Sequence, residues 1–467
     1  MKSGRLRKVA PRVYTSNLSD KSEAIVFRNL YLILGKLYSG AVLSHRTALE
    51  GGPAESGDIY LTYKYSRKAN LPGICVHLLK GPGPTEDDMP FLEGLFMSCR
   101  PRAFLENMQV SRSRTGVRKV LPKAAVEERL DRICSIQGVE AVTELRDRAR
   151  MMAEALEMNR EFQRLNRLIG AILRTRPADE LSSPQARARS VGAPYDSQRL
   201  ASFNRLFASL AQSDFPVRRE SRQSQEESQL LAFFEAYFSN YIEGTEFEIL
   251  EAYDIVFRGK VPQARPQDAH DIMGTFRIVS NGQEMQRVPE SFDQFLALLR
   301  SRHLAVMEAR RSALPGEFKR QPNRAGQTHF VTPELVRGTL LKGFEMYAAV
   351  ETGLARAVFM MFLVSDVHPF VDGNGRVARI MMNAELTRAG LCRIIIPTVF
   401  RDDYLLALRA MSRSDNPGPL IKAMDYAQRF CSVLPFTSYD AAANALRESN
   451  AFSEPDEARL RLPGQPE

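Results

Sequence analysis

Tryptophan is absent from this chain of 467 residues, and its five cysteines (Cys75, Cys99, Cys134, Cys392 and Cys431) are widely spaced with no CxxC pair. That pattern suggests neither a disulfide framework nor a thiolate zinc site, and a reducing cytoplasm fits it best. Long apolar runs are missing as well. The stretch from Ala24 to Leu34 is broken by Arg28 and Asn29 and has no small-residue cleavage site behind it, so no signal peptide is read. The run from Ala357 to Val364 is well short of the roughly 20 residues a membrane span requires. A soluble protein with no membrane partner is the expectation. Collagenous and low-complexity classes are excluded, and no internal repeat is evident.

What remains is an ordinary globular composition, 44% hydrophobic and 25% charged, in a length that implies two or three domains. The net charge of +9 is unevenly placed: residues 1–150 hold 25 Lys and Arg against 16 Asp and Glu, and the remainder is balanced. Any attraction to nucleic acid is therefore to be sought in the first third.

Along the chain, Phe27, Leu30, Tyr31, Leu34, Leu37 and Tyr38 fall at helical spacing between Lys21 and Tyr38. Ser44 is a good N-cap for a short second helix that shows His45 and Arg46 in its first turn. Asp58–Tyr65 and Ile74–Leu79 alternate on either side of Asn70-Leu71-Pro72-Gly73, which reads as a hairpin. Helix, turn, helix and hairpin in a basic segment is the order of a winged helix, so residues 1–85 form a winged-helix-like domain in which Ser44, His45 and Arg46 are the candidate DNA contacts. A protein-binding or merely structural small domain is the competing reading. Residues 86–175 are expected to be a helical middle region, with Phe162, Leu165, Leu168, Ile169 and Ile172 as a core stripe inside one helical run from Val126 to Leu173. Residues 176–194, rich in Pro, Ser, Ala and Arg, read as a linker. Residues 195–440 are dominated by helical patterns, and 441–467 read as a flexible tail.

The chemistry is concentrated where a nearly continuous apolar helix, Ala357–Val367, runs into His368-Pro369-Phe370-Val371-Asp372-Gly373-Asn374-Gly375-Arg376-Val377-Ala378-Arg379. Gly373 and Gly375 free the backbone so that successive N–H groups can face one oxyanion at the start of the next helix. Arg376 and Arg379, three apart, share a helix face and can fork onto different phosphates. Asp372 is the hard carboxylate that Mg²⁺ accepts, and His368 can be neutral near pH 7 and take a proton from a hydroxyl. Together these groups describe phosphoryl or nucleotidyl transfer.

This string resembles the motif H-P-F-x-[D/E]-G-N-G-R-x-x-R of the Fic family with every specified position filled. The resemblance implies a mainly α fold, a helical catalytic domain with a small β-hairpin flap, here preceded by an α+β winged-helix-like domain. It implies a protein adenylyltransferase that uses ATP and Mg²⁺ and acts on a target protein bearing a Ser, Thr or Tyr hydroxyl. His368 is then the general base, Asp372 the metal ligand, and Gly373, Asn374, Gly375, Arg376 and Arg379 hold the phosphates, with Asn383 and Tyr404 at adenine and ribose. Phe370 anchors the loop in the core. Within 195–440 the catalytic core spans about 300–425. "NRAGQTHFVTP" upstream resembles the family's target-binding flap, with Thr328, His329 and Phe330 as its tip. Ser239-Asn240-Tyr241-Ile242-Glu243-Gly244 resembles the inhibitory motif [S/T]-x-x-x-E-[G/N], placing an inhibitory helix at about 230–244. Ser239 and Glu243 then lie on one helix face, Gly244 turns the chain away, and Glu243 pairs with Arg379. The segment from Arg7 to Glu50 loosely resembles AbiEi-type winged helices. A DNA-binding regulator that only senses nucleotide, a related enzyme transferring another group or removing AMP, and a homodimer stay open.

Overall fold

A computed structural model of the chain describes residues 6–111, 117–179, 181–222 and 224–464. Parts of the segments delimited above therefore lie outside the described residues: 1–5 of the N-terminal domain, 112–116 of the middle region, 180 of the linker, 223 of the segment 195–440 and 465–467 of the tail. Two compact units divide the chain between Ala193 and Pro194.

The first unit is α+β. Its six-stranded mixed sheet runs in the order Arg67–Leu71, Ile74–Lys80, Asp58–Tyr63, Val42–Leu43, Phe96–Met97, Met89–Pro90. The Pro72-Gly73 turn is present, with Gly73 at φ 74°, but it joins Arg67–Leu71 to Ile74–Lys80. Asp58–Tyr63 pairs parallel to Ile74–Lys80, Asp58 opposite Cys75. A two-residue turn pairs the residues that flank it, so the short edge strand 67–71 takes the hairpin position expected of 58–65. The expected helix over 21–38 is two, Ser22–Arg28 and Leu30–Leu37, parted at Asn29, whose Nδ2 bonds the Ile25 carbonyl (2.9 Å). Phe27 consequently faces outward, 69% exposed, instead of joining the stripe.

The middle run is also divided, into Lys123–Gln137, Val139–Ala155 and Asn159–Ile172, with breaks at Gly138 (φ 88°) and Glu157 (φ 55°). Phe162, Leu165, Leu168, Ile169 and Ile172 are all buried there. The linker reading of 176–194 is corrected: Pro184–Ser190 is a helix capped by Ser183, Glu127 accepts from the N–H groups of Ser182 and Ser183, and Arg189 pairs with Asp131. Its Arg-rich composition looked solvated because its partners lie about fifty residues away.

The second unit is helical. Leu354–Val367 and Asn374–Arg388 form its centre; the first is mostly apolar and buried on nearly every side, and the second buries Arg376, Arg379, Asn383 and Glu385 together with its apolar residues. Ser197–Ala211, Gln225–Tyr241, Pro266–Val279, Phe292–Met307, Pro333–Ala349, Arg401–Ser414 and Gly418–Ser432 surround them. Residues 441–464 are folded rather than free. Tyr439–Glu448 is a helix whose N-cap Ser438 accepts from Ala441 N, and Leu446, Ala451 and Leu462 are buried. Among the described residues no helix is long and apolar enough to cross a membrane.

Candidate active site

Leu354–Val367 ends at His368, which takes up φ 53°, ψ 59° and so turns the chain sharply. Its Nδ1 lies 3.2 Å from the Ser365 carbonyl. A carbonyl only accepts, so Nδ1 carries the proton and Nε2 keeps its lone pair. Phe330 stacks on the ring at 3.7 Å and 5°. Burial pushes the imidazole pKa down to about 4.

The loop that follows is clamped from inside. Asn374 Oδ1 accepts from Phe370 N (2.9 Å), and its Nδ2 donates to Phe370 O (3.0 Å), which Asn323 Nδ2 also reaches (2.9 Å). The Phe370 ring is fully buried and stacks on His303 at 3.7 Å and 2°. His303 Nε2 donates to the Asp372 carbonyl (3.0 Å) while Nδ1 accepts from Gly316 N (2.9 Å), an arrangement that requires a neutral ring. Its pKa is likewise pushed down to about 4 by burial. Gly373 caps the second helix at φ 76°, and a β-carbon there would lie 2.7 Å from Met307 Sδ. Only glycine suits the position. The free N–H groups of the first turn of Asn374–Arg388 thus begin a few residues from the imidazole.

Asp372 points outward, its side chain 55% exposed; Oδ1 accepts from Gly373 N (2.6 Å) and Oδ2 is 3.7 Å from Arg376 Nη2. One oxygen of a hard carboxylate is therefore open, which fits Mg²⁺, an ion that holds one or two protein carboxylates and fills its other positions with water and phosphate oxygens. Arg376 is buried and anchored below the loop, Nη1 on Asp271 (2.6 Å) and on Asn240 (3.3 Å).

Arg379 is engaged from another helix. Gln225–Tyr241 starts with a reciprocal cap, Ser224 Oγ accepting from Glu227 N (3.0 Å) and the Glu227 carboxylate from Ser224 N (3.2 Å). Phe233, Phe234, Tyr237 and Phe238 bury its length. At its end Arg379 Nε donates to Ser239 Oγ (2.9 Å), and Nη2 donates to Ser239 O (2.7 Å) and Glu243 Oε1 (2.8 Å). Gly244 turns the chain away at φ 85°. A β-carbon on Gly375 would collide with Glu243 Oε1, so the carboxylate rests against the helix N-terminus itself.

Several residues named from sequence have partners within the protein. Asn374 is buried with both amide ends on Phe370, so it clamps the loop. Asn383 is fully buried and bonded to Ile394, accepting from its N–H (2.8 Å) and donating to its carbonyl (2.9 Å). Tyr404 is buried with its hydroxyl 3.5 Å from Met361 Sδ. Neither presents a free polar edge. The flap is a hairpin of Arg324–Ala325 and Thr328–His329 that turns at Gly326 (φ 57°), so Thr328 and His329 form the return strand rather than the tip. Thr328 Oγ1 accepts from Arg413 Nη2 (2.6 Å), Arg199 Nη2 donates to His329 O (2.5 Å), and Phe330 leaves the strand to cover His368.

Ser44 and His45 are buried, His45 N donating to Glu106 Oε2 (2.8 Å) and its Nε2 facing Gln109 Oε1 (3.2 Å); Arg46 Nε donates to Glu50 (2.7 Å). Their polar atoms are committed inside the unit and do not offer a base-reading edge. Residues missed from sequence are Asp271, His303, Asn323 and Lys319. Lys319 Nζ donates to Asn323 Oδ1 (2.6 Å), and its pKa is pushed down to about 7 by burial, with Arg199 adding to the shift. No local pattern gives them a role: Asp271 and His303 come from separate helices, and Lys319 and Asn323, just before and at the start of the flap segment, act by bonding to the loop backbone and to each other.

A clamped glycine loop at a helix N-terminus, with an imidazole before it and two guanidiniums after it, is an anion site equipped with a base. The chain belongs to the Fic/DOC family: the family model matches residues 292–386, and a Fido domain-containing protein of Dictyostelium discoideum is 31% identical over 103 residues, 21% of this chain and 72% of that protein. The protein adenylyltransferase Fic of Drosophila willistoni is 26% identical over 250 residues, 50% of this chain and 47% of the fly protein. The chain thus spans about half the length of that adenylyltransferase. A Fic domain-containing signaling protein of Bacteroides thetaiotaomicron superposes with a TM-score of 0.39 at 19% identity, covering 52% of this chain and 98% of that one.

Proposed function

We propose that this protein transfers AMP from ATP to a hydroxyl side chain of another protein and is held at low activity by Glu243. His368 Nε2 takes the proton of the target hydroxyl as that oxygen bonds the α-phosphorus. The bond from the α-phosphorus to the bridging oxygen breaks, and pyrophosphate leaves with the electron pair. The first-turn N–H groups of Asn374–Arg388 and Arg376 stabilise the negative charge on the phosphates. Asp372 would hold Mg²⁺, which when bound neutralises phosphate charge. The hairpin's return strand supplies an edge on which a target segment can pair.

The observation that carries the reading is the state of Arg379. Its Nε and Nη2 are occupied by Ser239 and Glu243, so the guanidinium that would meet the terminal phosphates is already neutralised. A charge-assisted bond of this kind contributes about 1.5–3 kcal/mol, so Glu243→Gly is expected to raise AMP incorporation by about 10- to 150-fold. The test incubates wild type, Glu243→Gly and Glu243→Gly/His368→Ala with α-labelled ATP and a cell extract. Labelled bands confined to the second sample, with the mass of an AMP adduct on the modified protein, are the expected result. An unchanged rate in Glu243→Gly removes the restraint, and label that persists without His368 removes the proposed base.

A further inference from the structure

The N-terminal unit holds a cluster that the transfer reaction does not use. Asp58, Cys75 and His77 each present one ligand atom, and the three atoms lie within 4.8 Å of one another. Strand alternation explains the meeting. Ile74, Val76 and Leu78 point into the core with Ile59 and Leu61, so Cys75 and His77 emerge together on the opposite face. The parallel register sets Asp58 opposite Cys75, diagonal to His77. A sequence scan does not find such a site, because one cysteine and one histidine two apart carry no metal spacing and the third ligand comes from another strand.

His77 Nε2 is oversubscribed. It lies 2.6 Å from Asp58 Oδ1 and 3.3 Å from Cys75 Sγ. One ring nitrogen offers either one proton or one lone pair, so an Nε2–H donated to Asp58 leaves the Cys75 sulfur at most the weak branch of a shared bond. A nucleophile relay would set thiol and carboxylate on different ring nitrogens, whereas here both converge on the same one. Three donors aimed at a common point are what a cation resolves. The surroundings are built for it. Ser56 Oγ donates to Asp58 Oδ2 (2.7 Å) and leaves Oδ1 for the shared point. Tyr60 stacks on the imidazole at 4.6 Å and 15° and holds its plane. Cys75 N donates to Gly57 O (2.9 Å), fixing the strand that carries the thiol.

We infer that Asp58, Cys75 and His77 form a zinc site with an open fourth position. One sulfur, one imidazole nitrogen and one carboxylate oxygen suit a borderline-soft divalent ion, and a thiolate with a carboxylate balances its charge. Tetrahedral zinc with bonds of about 2.0–2.3 Å needs roughly 3.3 Å between nitrogen and oxygen and roughly 3.5 Å between sulfur and nitrogen. Oxygen and nitrogen, 2.6 Å apart, must part by about 0.7 Å, which a turn of the Asp58 side chain provides. All three residues are half-buried, so the fourth position meets solvent and takes water. Lys68, opposite His77 on the neighbouring strand, hydrogen-bonds the Cys75 thiol and lies near Asp58, so the ion takes the place of its ammonium, which the exposed flexible stem lets swing out to solvent. Binding expels the Cys75 thiol proton to solvent.

The test uses the full chain, stripped by a chelator and kept free of nucleotide, titrated with Co²⁺ as a visible substitute and then with Zn²⁺. One equivalent of Co²⁺ is expected to give a thiolate-to-cobalt charge-transfer band that one equivalent of Zn²⁺ bleaches. The other four cysteines are buried, so Cys75→Ser should abolish the band. Asp58→Asn, nearly isosteric, should weaken Co²⁺ by at least roughly tenfold while retaining the wild-type circular dichroism. Absence of the band, its survival in Cys75→Ser, or an unchanged affinity in Asp58→Asn overturns the site. None of these outcomes depends on adenylyl transfer.

Discussion

His368 is kept in its basic form by removal from water rather than by a partner. Burial disfavours the imidazolium and pushes the pKa to about 4, as it does at His303. The unfolded chain binds these protons near pH 6.5, so between there and pH 4 unfolding takes up protons. The stability both rings contribute is therefore complete above pH 6.5 and is lost as pH falls toward 4. Activity follows the same direction. In Glu243→Gly, kcat/KM for labelled ATP is expected to stay flat from about pH 8 to about pH 5.5, because the free enzyme's base remains unprotonated. An acidic limb with a midpoint near 6.5 would show that His368 titrates as an ordinary histidine. The residues from His368 to Arg379 were legible in the sequence because they are contiguous and each needs a particular chemistry. Asp271, His303, Asn323 and Lys319 were not, since they lie outside that string and act by bonding to backbone or to other side chains. Asn374 and Asn383 carry a structural task that the sequence did not reveal, bonding the Phe370 and Ile394 backbone.

At the level of elements, the flap is a cover as well as an edge. Its return strand is tied down by Arg413 and Arg199, and the next residue, Phe330, lies flat on His368. Phe330→Ala admits water to that ring face, which relieves the desolvation holding the pKa down. The acidic limb of kcat/KM in the Glu243→Gly background should then move up from near pH 4 toward 6.5, while the rate at about pH 8 changes little. An unmoved limb would mean that the core beneath the ring, not the flap, sets its protonation. The hairpin was legible only through the resemblance of NRAGQTHFVTP to the family's flap, and its register was not, since two-residue strands carry no alternation to count. Periodicity failed elsewhere for a related reason. Asn29 and Gly138 break apparently continuous helices through a side-chain cap and a positive φ, and neither disturbs the apolar spacing around it. Pairing between 58–63 and 74–80 was misread because alternation tells which face a strand buries and says nothing about its direction.

For the whole molecule, the mainly helical second unit was evident from patterning, whereas the segments read as linker and tail were judged on composition, which counts charges without their partners. Arg187 and Arg189 are spent on Leu181 O and Asp131, and the alanines of 441–451 fill a core that only a folded neighbour provides. The placement of apolar side chains carries a further consequence. Every buried apolar cluster among the described residues falls inside one unit: those from Ala10 to Ala186 before Ala193, those from Phe203 to Leu462 after it. The second unit also contains both sides of the proposed restraint, Ser239 and Glu243 with Arg379, and the whole of the His368–Arg379 motif. A fragment of residues 194–467 is therefore expected to melt in one cooperative transition, because it contains every member of its buried apolar clusters. Its rate of AMP incorporation should be of the same order as that of the full chain, and Glu243→Gly should raise it by a similar factor. Calorimetry and labelled ATP measure the two properties separately. A cooperative fragment that incorporates AMP freely with Glu243 still in place would transfer the restraint to residues 1–193; a fragment that does not melt cooperatively would show that the second unit needs the first to fold.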